Sequence, residues 1–443
     1  MDPTIQRILS VIERHRQEIV DIGRNIYDHA ELGYKEFRTS ELFVEKMKRL
    51  GLPVQTGLAI TGAKAYLNQD KAGQSSLALL GELDALRIPA HTHANPETGA
   101  AHCCGHHAQM AGMIGAAIAL ADPEVSTALD GQVIFFAVPA EEYGEVEFKK
   151  RLAEEGKITY GGGKCELLNI GAFDDVDLAV THHTSLEHGV HLGNGSGNGF
   201  VSKVYTVHGK AAHAAACPEQ GINALSAATL GLQALALNRE TFRDQDCVRV
   251  HPIITQGGDL VNVVPETVVV ETLVRGKTLS AIEDASGKTD RSFQAGALAL
   301  GARLTIETMP GYLPSIPQDT PIQIVETARE VFGADHVHLA DLSFHNGGST
   351  DVGDVQHLLP VVTFNTGGAS GRLHGSDFEI IDEENAYLDT ARGFAIYAYE
   401  LLKSGATLAR KTVQEYHPVF QDRQDYTAYI EQYRTIRDFP SIY

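Results

Sequence analysis

Six consecutive residues, His102 to His107 (HCCGHH), hold three histidines and two cysteines. Cys103 and Cys104 are adjacent, and neighbouring residues rarely meet the geometry of a disulfide. The chain has no C-x-x-C, which excludes a thioredoxin-type redox pair. A metal ligand, a nucleophile and a buried thiol remain open for these cysteines. Cys104 and His106 stand two apart with Gly105 between them, a spacing that suits a turn leading into a helix rather than one helix face. A thiolate with an imidazole favours zinc or another borderline metal. Glu142, His183 and a later histidine are available to complete such a site. Most lone histidines are solvated or satisfied in a core, and Cys103 reads as a small buried thiol. Glu141 and Glu142 could be a solvated helix cap, but their place after an apolar run favours a working pair.

The elements around these residues explain why they could converge. SLALLGELDAL (76–86) reads as a buried strand running into a loop. AQMAGMIGAAIALA (108–121) reads as a tightly packed helix. GQVIFFAVPAEE (131–142) and VDLAVTHH (176–183) are buried strands ending in carboxylates and in histidines. Apolar strands separated by helices predict an α/β fold with parallel strands. Ligands of open α/β sheets bind beyond the strands' carboxyl ends. Three such ends carry Asp84, Glu141 with Glu142, and His182 with His183. Residues 3–30 read as one amphipathic helix. After the glycine-rich GNGSGNG (193–199), the texture becomes strand, helix, two strands, helix, strand, a ferredoxin-like α+β pattern of about 110 residues. A second hinge at 311–321 returns the chain to α/β texture. The expected organisation is a split catalytic domain (1–197 and 313–404), an inserted domain (198–312) and a C-terminal extension (405–443). The extension is polar and tyrosine-rich, from Tyr416 to Tyr443, and reads as a docked tail.

Composition narrows the function. The 443 residues are 43% apolar and carry a formal net charge of −21. That charge argues against nucleic acid or an anionic membrane as a partner. No run of about 18 apolar residues suggests a membrane span, and the charged N-terminus lacks the apolar core of a secretory signal. Five cysteines, an odd number, form no disulfide framework. A cytoplasmic protein is expected.

In order along the chain stand HAELGYKEFRTS (29–40), GELDAL (81–86), CGHH (104–107), PAEEYG (139–144), THH (181–183), HGKAAHAAACPEQGINAL (208–225), ITQGGDLVNVVPE (254–266), VRG (274–276), GSTDVGDV (348–355) and LHGSDF (373–378). Each is weak alone. Together and in this order they resemble the aminoacylase and carboxypeptidase type of dinuclear metal-dependent amidohydrolase. The likeness is to the branch of indole-acetyl-amino-acid hydrolases, hippurate hydrolases and aminobenzoyl-glutamate utilisation proteins. GELDAL, VHPIITQGG and GSTDVGDV tilt it toward aminobenzoyl-glutamate hydrolases and cytosolic dipeptidases acting on β-alanyl or lysyl-type dipeptides.

The resemblance implies a mixed, mostly parallel sheet flanked by helices, with the insert serving as lid and dimerisation domain. It implies two divalent ions per subunit, zinc or manganese foremost, with cobalt and nickel open. Carried over position by position, Cys104, His106, Glu142, His183 and His374 are the ligands, with alignment favouring His183 over His182. Glu141 is the general base and Asp84 stands behind the ligands. His213, in the insert, reaches a partner subunit's active site. Asn262 and Arg275 hold the substrate's carboxylate end or carbonyl. The chain departs from the family at His107, usually Asp or Asn, at Gln109, commonly His, and at Arg87, in place of proline. The implied reaction is hydrolysis of a linear amide, in an N-acyl amino acid, an aminobenzoyl-glutamate-like conjugate or a dipeptide. Two alternatives stay open: a metabolite-binding relative without turnover, and a thiol enzyme using Cys104, which should survive metal removal.

Overall fold

The computed structural model describes residues 1–441; Tyr443, the last tyrosine of the tail, lies outside them. The chain divides into two compact units. One comprises Met1–Gly195, Ile316–Phe344 and Asp354–Arg423; the other comprises Ser196–Ser315, His345–Gly353 and the described residues from Gln424 onward. The C-terminal 405–443 segment is therefore shared between them.

The first unit is built on an eight-stranded mixed sheet. Four strands run parallel at its centre, in the order Gln132–Val138, Ser76–Glu82, Leu178–Thr184 and Val361–Thr366. The strands Ser76–Glu82 and Gln132–Val138 are buried at every position, as continuous apolar runs in a covered parallel sheet should be. Gly62–Leu67 and Val190–Leu192 pair antiparallel on the two flanks of this block. From Ser76–Glu82 the chain goes to the neighbour on one side, Gln132–Val138, and then crosses to the other side, Leu178–Thr184. This reversal makes the carboxyl end of Ser76–Glu82 a topological switch point, where α/β sheets open a crevice.

Helices flank this sheet. The helix His106–Leu120 is buried along its whole length. Its glycines permit close approach: a Cβ at Gly112 would fall 2.2 Å from Thr390, and one at Gly115 would fall 2.8 Å from Ala391. Both neighbours lie on the helix Asp389–Glu415, which leaves helical geometry at Lys403–Ala406. The amphipathic pattern over 3–30 yields two helices, Pro3–Arg14 and Arg16–Tyr27, because His15 departs from helical dihedrals (φ −101°, ψ 11°).

The second unit is an antiparallel sheet in which Gly199–His208 is bracketed by Thr267–Gly276 and Arg303–Pro310. Alternate residues of Thr267–Gly276 are buried against the helices Ala224–Asn238 and Leu279–Ala299. The polar tail has a structural use here. Its strand Thr435–Phe439 extends the sheet by pairing with Arg303–Pro310, and it brings Arg437 onto the buried Asp290, which also takes Lys203 and the Tyr205 hydroxyl.

Candidate metal centre

The HCCGHH stretch separates into two groups. Gly105 caps the helix His106–Leu120 with φ 89°, in the left-handed region that favours glycine. A Cβ there would sit 2.3 Å from the Thr184 hydroxyl oxygen. The turn leaves Cys104 and His106 facing the ends of the strands. His102, Cys103 and His107 lie in the interior. The His102 and His107 rings are 5.2 Å apart, His107 is 4.7 Å from the Tyr27 ring, and Cys103 packs with Ala101, Ala369 and Phe378. Burial pushes His107 down to about 3, so this imidazole is neutral.

The carryovers within the first unit meet around Cys104. Its Sγ is 3.2 Å from His183 Nε2 and 3.3 Å from His374 Nε2. His374 Nε2 is 3.3 Å from Glu142 Oε1. Cys104, His106 and His183 offer ligand atoms within 4.8 Å of one another, and so do Cys104, Glu142 and His374. The two triads share the thiol. Glu141 falls in a third group with His106 and Glu142. Side chains alternate along a strand, and this separates His182 from His183. His182 points inward, with its Nε2 2.8 Å from the Thr366 hydroxyl and its ring 4.9 Å from Phe364.

Backbone strain and a carboxylate framework hold these groups. Ala140 (φ 48°), before the glutamate pair, and His374 (φ 61°) both adopt left-handed conformations, a cost of about 1–3 kcal/mol each. The His374 amide donates to Cys103 O at 2.8 Å, and the Ala140 amide donates to the buried Glu36 carboxylate at 2.8 Å. Asp84 is fully buried. Its Oδ2 accepts the Glu142 amide at 2.9 Å, and its Oδ1 is 3.2 Å from His106 Nδ1, which also faces Asp84 O at 2.9 Å. Burial works to raise the Asp84 carboxyl, but the hydrogen bond and charge of His106, the Glu142 amide and the Lys149 charge together outweigh it and hold the group below its ordinary value.

These residues fit a metal. Nδ1 of His106 is engaged, while its buried Nε2 makes no hydrogen bond, and neither does the buried Glu142 Oε1. Burial and the Glu142 charge push the Cys104 thiol well up; a cation reverses that pressure, because a coordinating thiol is deprotonated outright. Thiolate, imidazole and carboxylate together form a donor set for borderline divalent ions.

The remaining carryovers lie in the second unit. His213 is exposed; its Nδ1 accepts the amides of Ala215 and Ala216, and it bridges Val263. Asn262 is exposed nearby, its carbonyl accepting the Ala214 amide. Arg275 is half-buried, donates to the Ser349 hydroxyl at 2.7 Å and lies over the Phe200 ring.

Sequence reasoning missed four residues of the first unit. Glu82 lies 3.2 Å from His106 Nε2 and pairs with the fully buried Lys164 at 2.5 Å. Gln109 takes the Glu82 amide at 2.8 Å and donates to His182 O at 2.5 Å. Glu36 anchors Ala140. The period of two along a strand was a usable signal for Glu82, since it places Glu82 on the same face as Asp84. Lys164 and Gln109 carry no comparable local mark.

A largely buried Cys/His/Glu cluster able to hold metal ions stands at the switch point of a helix-flanked mixed sheet, the arrangement of an α/β protein with a candidate metal centre. Residues 78–400 match the model of peptidase family M20/M25/M40. The chain belongs to that family and is a metal-dependent amidohydrolase. It is 28% identical over 372 residues to the Xaa-Arg dipeptidase of Mus musculus, covering 80% of this chain and 79% of the relative. It is 29% identical over 306 residues to one of the subunits of the p-aminobenzoyl-glutamate hydrolase of Escherichia coli K12, covering 67% of this chain and 57% of the relative. Among solved structures, a dinuclear metal-binding peptidase of Bacillus subtilis from the M20 family shares the fold, with TM-score 0.65, 21% identity and coverage of 88% and 99%.

Proposed function

We propose that the chain hydrolyses the amide bond of an N-acyl amino acid, an aminobenzoyl-glutamate-like conjugate or a dipeptide, with two divalent ions for which Cys104 and its neighbours would supply the ligands. The observation that carries this reading is the pair of ligand triads joined at one thiol, with Glu141 beside them. Cys104, His106 and His183 would hold one ion, and Cys104, Glu142 and His374 the other. Such ions supply Lewis acidity that brings the pKa of water from about 15.7 toward 7.

The protein's own part is proton management and positioning. Glu141 takes the proton from the attacking water and delivers it to the departing nitrogen, a role worth about 10²–10⁴ in rate. Asp84 fixes the His106 ring through Nδ1, so that Nε2 would be the nitrogen offered to an ion. His213 donates to the tetrahedral oxyanion, acting from a partner subunit; its exposure and the family resemblance support this. Arg275 pairs with a substrate carboxylate through its planar fork, and Asn262 binds the substrate's polar end. Residues 198–312 act as the lid and dimerisation domain. Within the second unit, the strand Ile253–Gln256 is exposed at every position, and Leu260 and Val261 are exposed close by in the chain. Such an edge invites pairing with another copy. The five cysteines form no disulfide among the described residues, which suits a reducing cytoplasm, and among the described residues no helix is long and apolar enough to cross a membrane.

The test is release of primary amine from a panel of N-acyl amino acids, aminobenzoyl-glutamate and dipeptides, with Mn²⁺ or Zn²⁺ and with Glu141→Ala as the blank. Release from a subset, absent in the variant, is expected. Equal release by the variant would overturn the assignment of Glu141.

A further inference from the structure

The ligand set above leaves out a carboxylate that the fold holds against His106. Glu82 ends the central strand and is 3% exposed. Its Oε1 is held by Lys164, itself fully buried, at 2.5 Å. Its Oε2 is turned to His106 Nε2, at 3.2 Å. Because Asp84 occupies Nδ1 of that ring, Nε2 is the nitrogen left for an ion. Two ligands about 2.0–2.2 Å from one ion, at angles between octahedral and tetrahedral, stand about 2.9–3.5 Å apart. The separation of Oε2 from Nε2 falls inside that range.

The fold invests in this placement. The ladder between Ser76–Glu82 and Leu178–Thr184 ends at Leu79 and Val180. Beyond it, Gln109 spans the gap, taking the Glu82 amide and donating to His182 O. The backbone that carries Glu82 is thus tied to the one that carries His183. On the other side, the approach to Lys164 is set by Gly163, whose amide donates to Ala140 O at 3.0 Å and where a Cβ would overlap Pro139 O. Lys164 is thereby tied to the turn that presents Glu141. A buried Lys–Glu pair is commonly no more stable than an apolar pair of the same volume. What the ion pair adds here is a carboxylate oxygen aimed at His106.

We propose that Glu82 is a further ligand of the ion held by His106, binding through Oε2 alone while Lys164 keeps Oε1. This rests on the metal reading above and extends its donor set by one hard oxygen. An added carboxylate favours ions that accept more oxygen ligands, Mn²⁺ before Zn²⁺.

The test uses the full-length protein, stripped and reloaded with Co²⁺ or Mn²⁺, in wild type, Glu82→Gln and the double variant Glu82→Leu/Lys164→Met. The double variant removes the pair together, so that a folding defect from an unpaired lysine does not obscure the result. Expected in both variants is a loss of Mn²⁺ affinity of about 10–100-fold by chelator competition, a smaller loss for Zn²⁺, and altered Co²⁺ d–d bands with the Cys104 thiolate charge-transfer band retained. Mn²⁺ affinity within about twofold of wild type, with unchanged d–d bands in a folded variant, would make Glu82 a structural counter-charge and overturn the inference alone. A wild type that takes up no Co²⁺ with a thiolate band would overturn the metal reading itself.

Discussion

The two units present most of their candidate residues in opposite ways. In the first, Cys104, His106 and Asp84 are buried and Glu142 and His183 are nearly so, while His374 is exposed but has its amide tied to Cys103 O. Each is held by a neighbour from a different segment of chain. In the second, His213 and Asn262 stand exposed, and Arg275 is half-buried, held by the Ser349 hydroxyl and the Phe200 ring. A metal centre has to exist before substrate arrives, so the proposed ligands are fixed in advance, by packing or, for the exposed His374, by a backbone hydrogen bond. Groups that grip a substrate have work only once it is bound, and they tolerate exposure. Truncations in the first unit should therefore change metal content or chemistry, and truncations in the second should change turnover with metal untouched.

The largest effect is expected at the shared thiol. Cys104→Ala should lose both ions and bring turnover to background, as measured by elemental analysis alongside amine release; two ions retained would place the bridge elsewhere. Glu141→Ala should bind both ions yet lose about 10²–10⁴ in kcat. His213→Ala should lose about 10²–10³ in kcat with metal content unchanged. Mixing it with Glu141→Ala should recover activity once subunits exchange, and no recovery despite proven exchange would confine the site to one subunit.

Stability effects come next in size. Gly105→Ala places a Cβ against Thr184 at a left-handed φ and should cost about 2–3 kcal/mol by denaturant melting, with metal affinity reduced in parallel. The smallest effect is a pH dependence in the metal-free protein. Burial raises Glu36 to about 7, with the Asp84 charge adding to it. Between the ordinary carboxylate value near 4.5 and 7, the folded chain keeps a proton that the unfolded chain has released. Stability should therefore fall as pH rises through that window, by about 1 kcal/mol per unit from this group. Glu36→Gln should flatten the slope, and an unchanged slope would remove Glu36 from the account.

The same contrast decides what was legible in the sequence. The proposed ligand residues sit in short motifs at strand ends, where an apolar run stops at a polar pair, so local pattern brings out Cys104, His106 and Glu142. Alternation along a strand separates His183 from His182 only once the register is known, which the structure supplies through pairing of His183 with Asn365. Lys164 was not legible, because its meaning depends on a partner 82 residues away in the chain. Gln109 looked like a departure from a family histidine; the structure gives it a positive use, spanning two strands where their ladder ends. The α/β texture was readable from buried runs. The break at His15 and the tail strand Thr435–Phe439 were not, since one is a local backbone departure and the other a long-range pairing.

The measurement closest to the central claim is a titration of metal-free protein with Mn²⁺ or Zn²⁺, following bound ion and amine release together, with Glu141→Ala alongside. Activity is expected to rise as the chain fills to two ions, and the variant to fill equally while releasing nothing. Full activity in the metal-free chain, or turnover by the filled variant, would contradict a metal-activated water with Glu141 as its base.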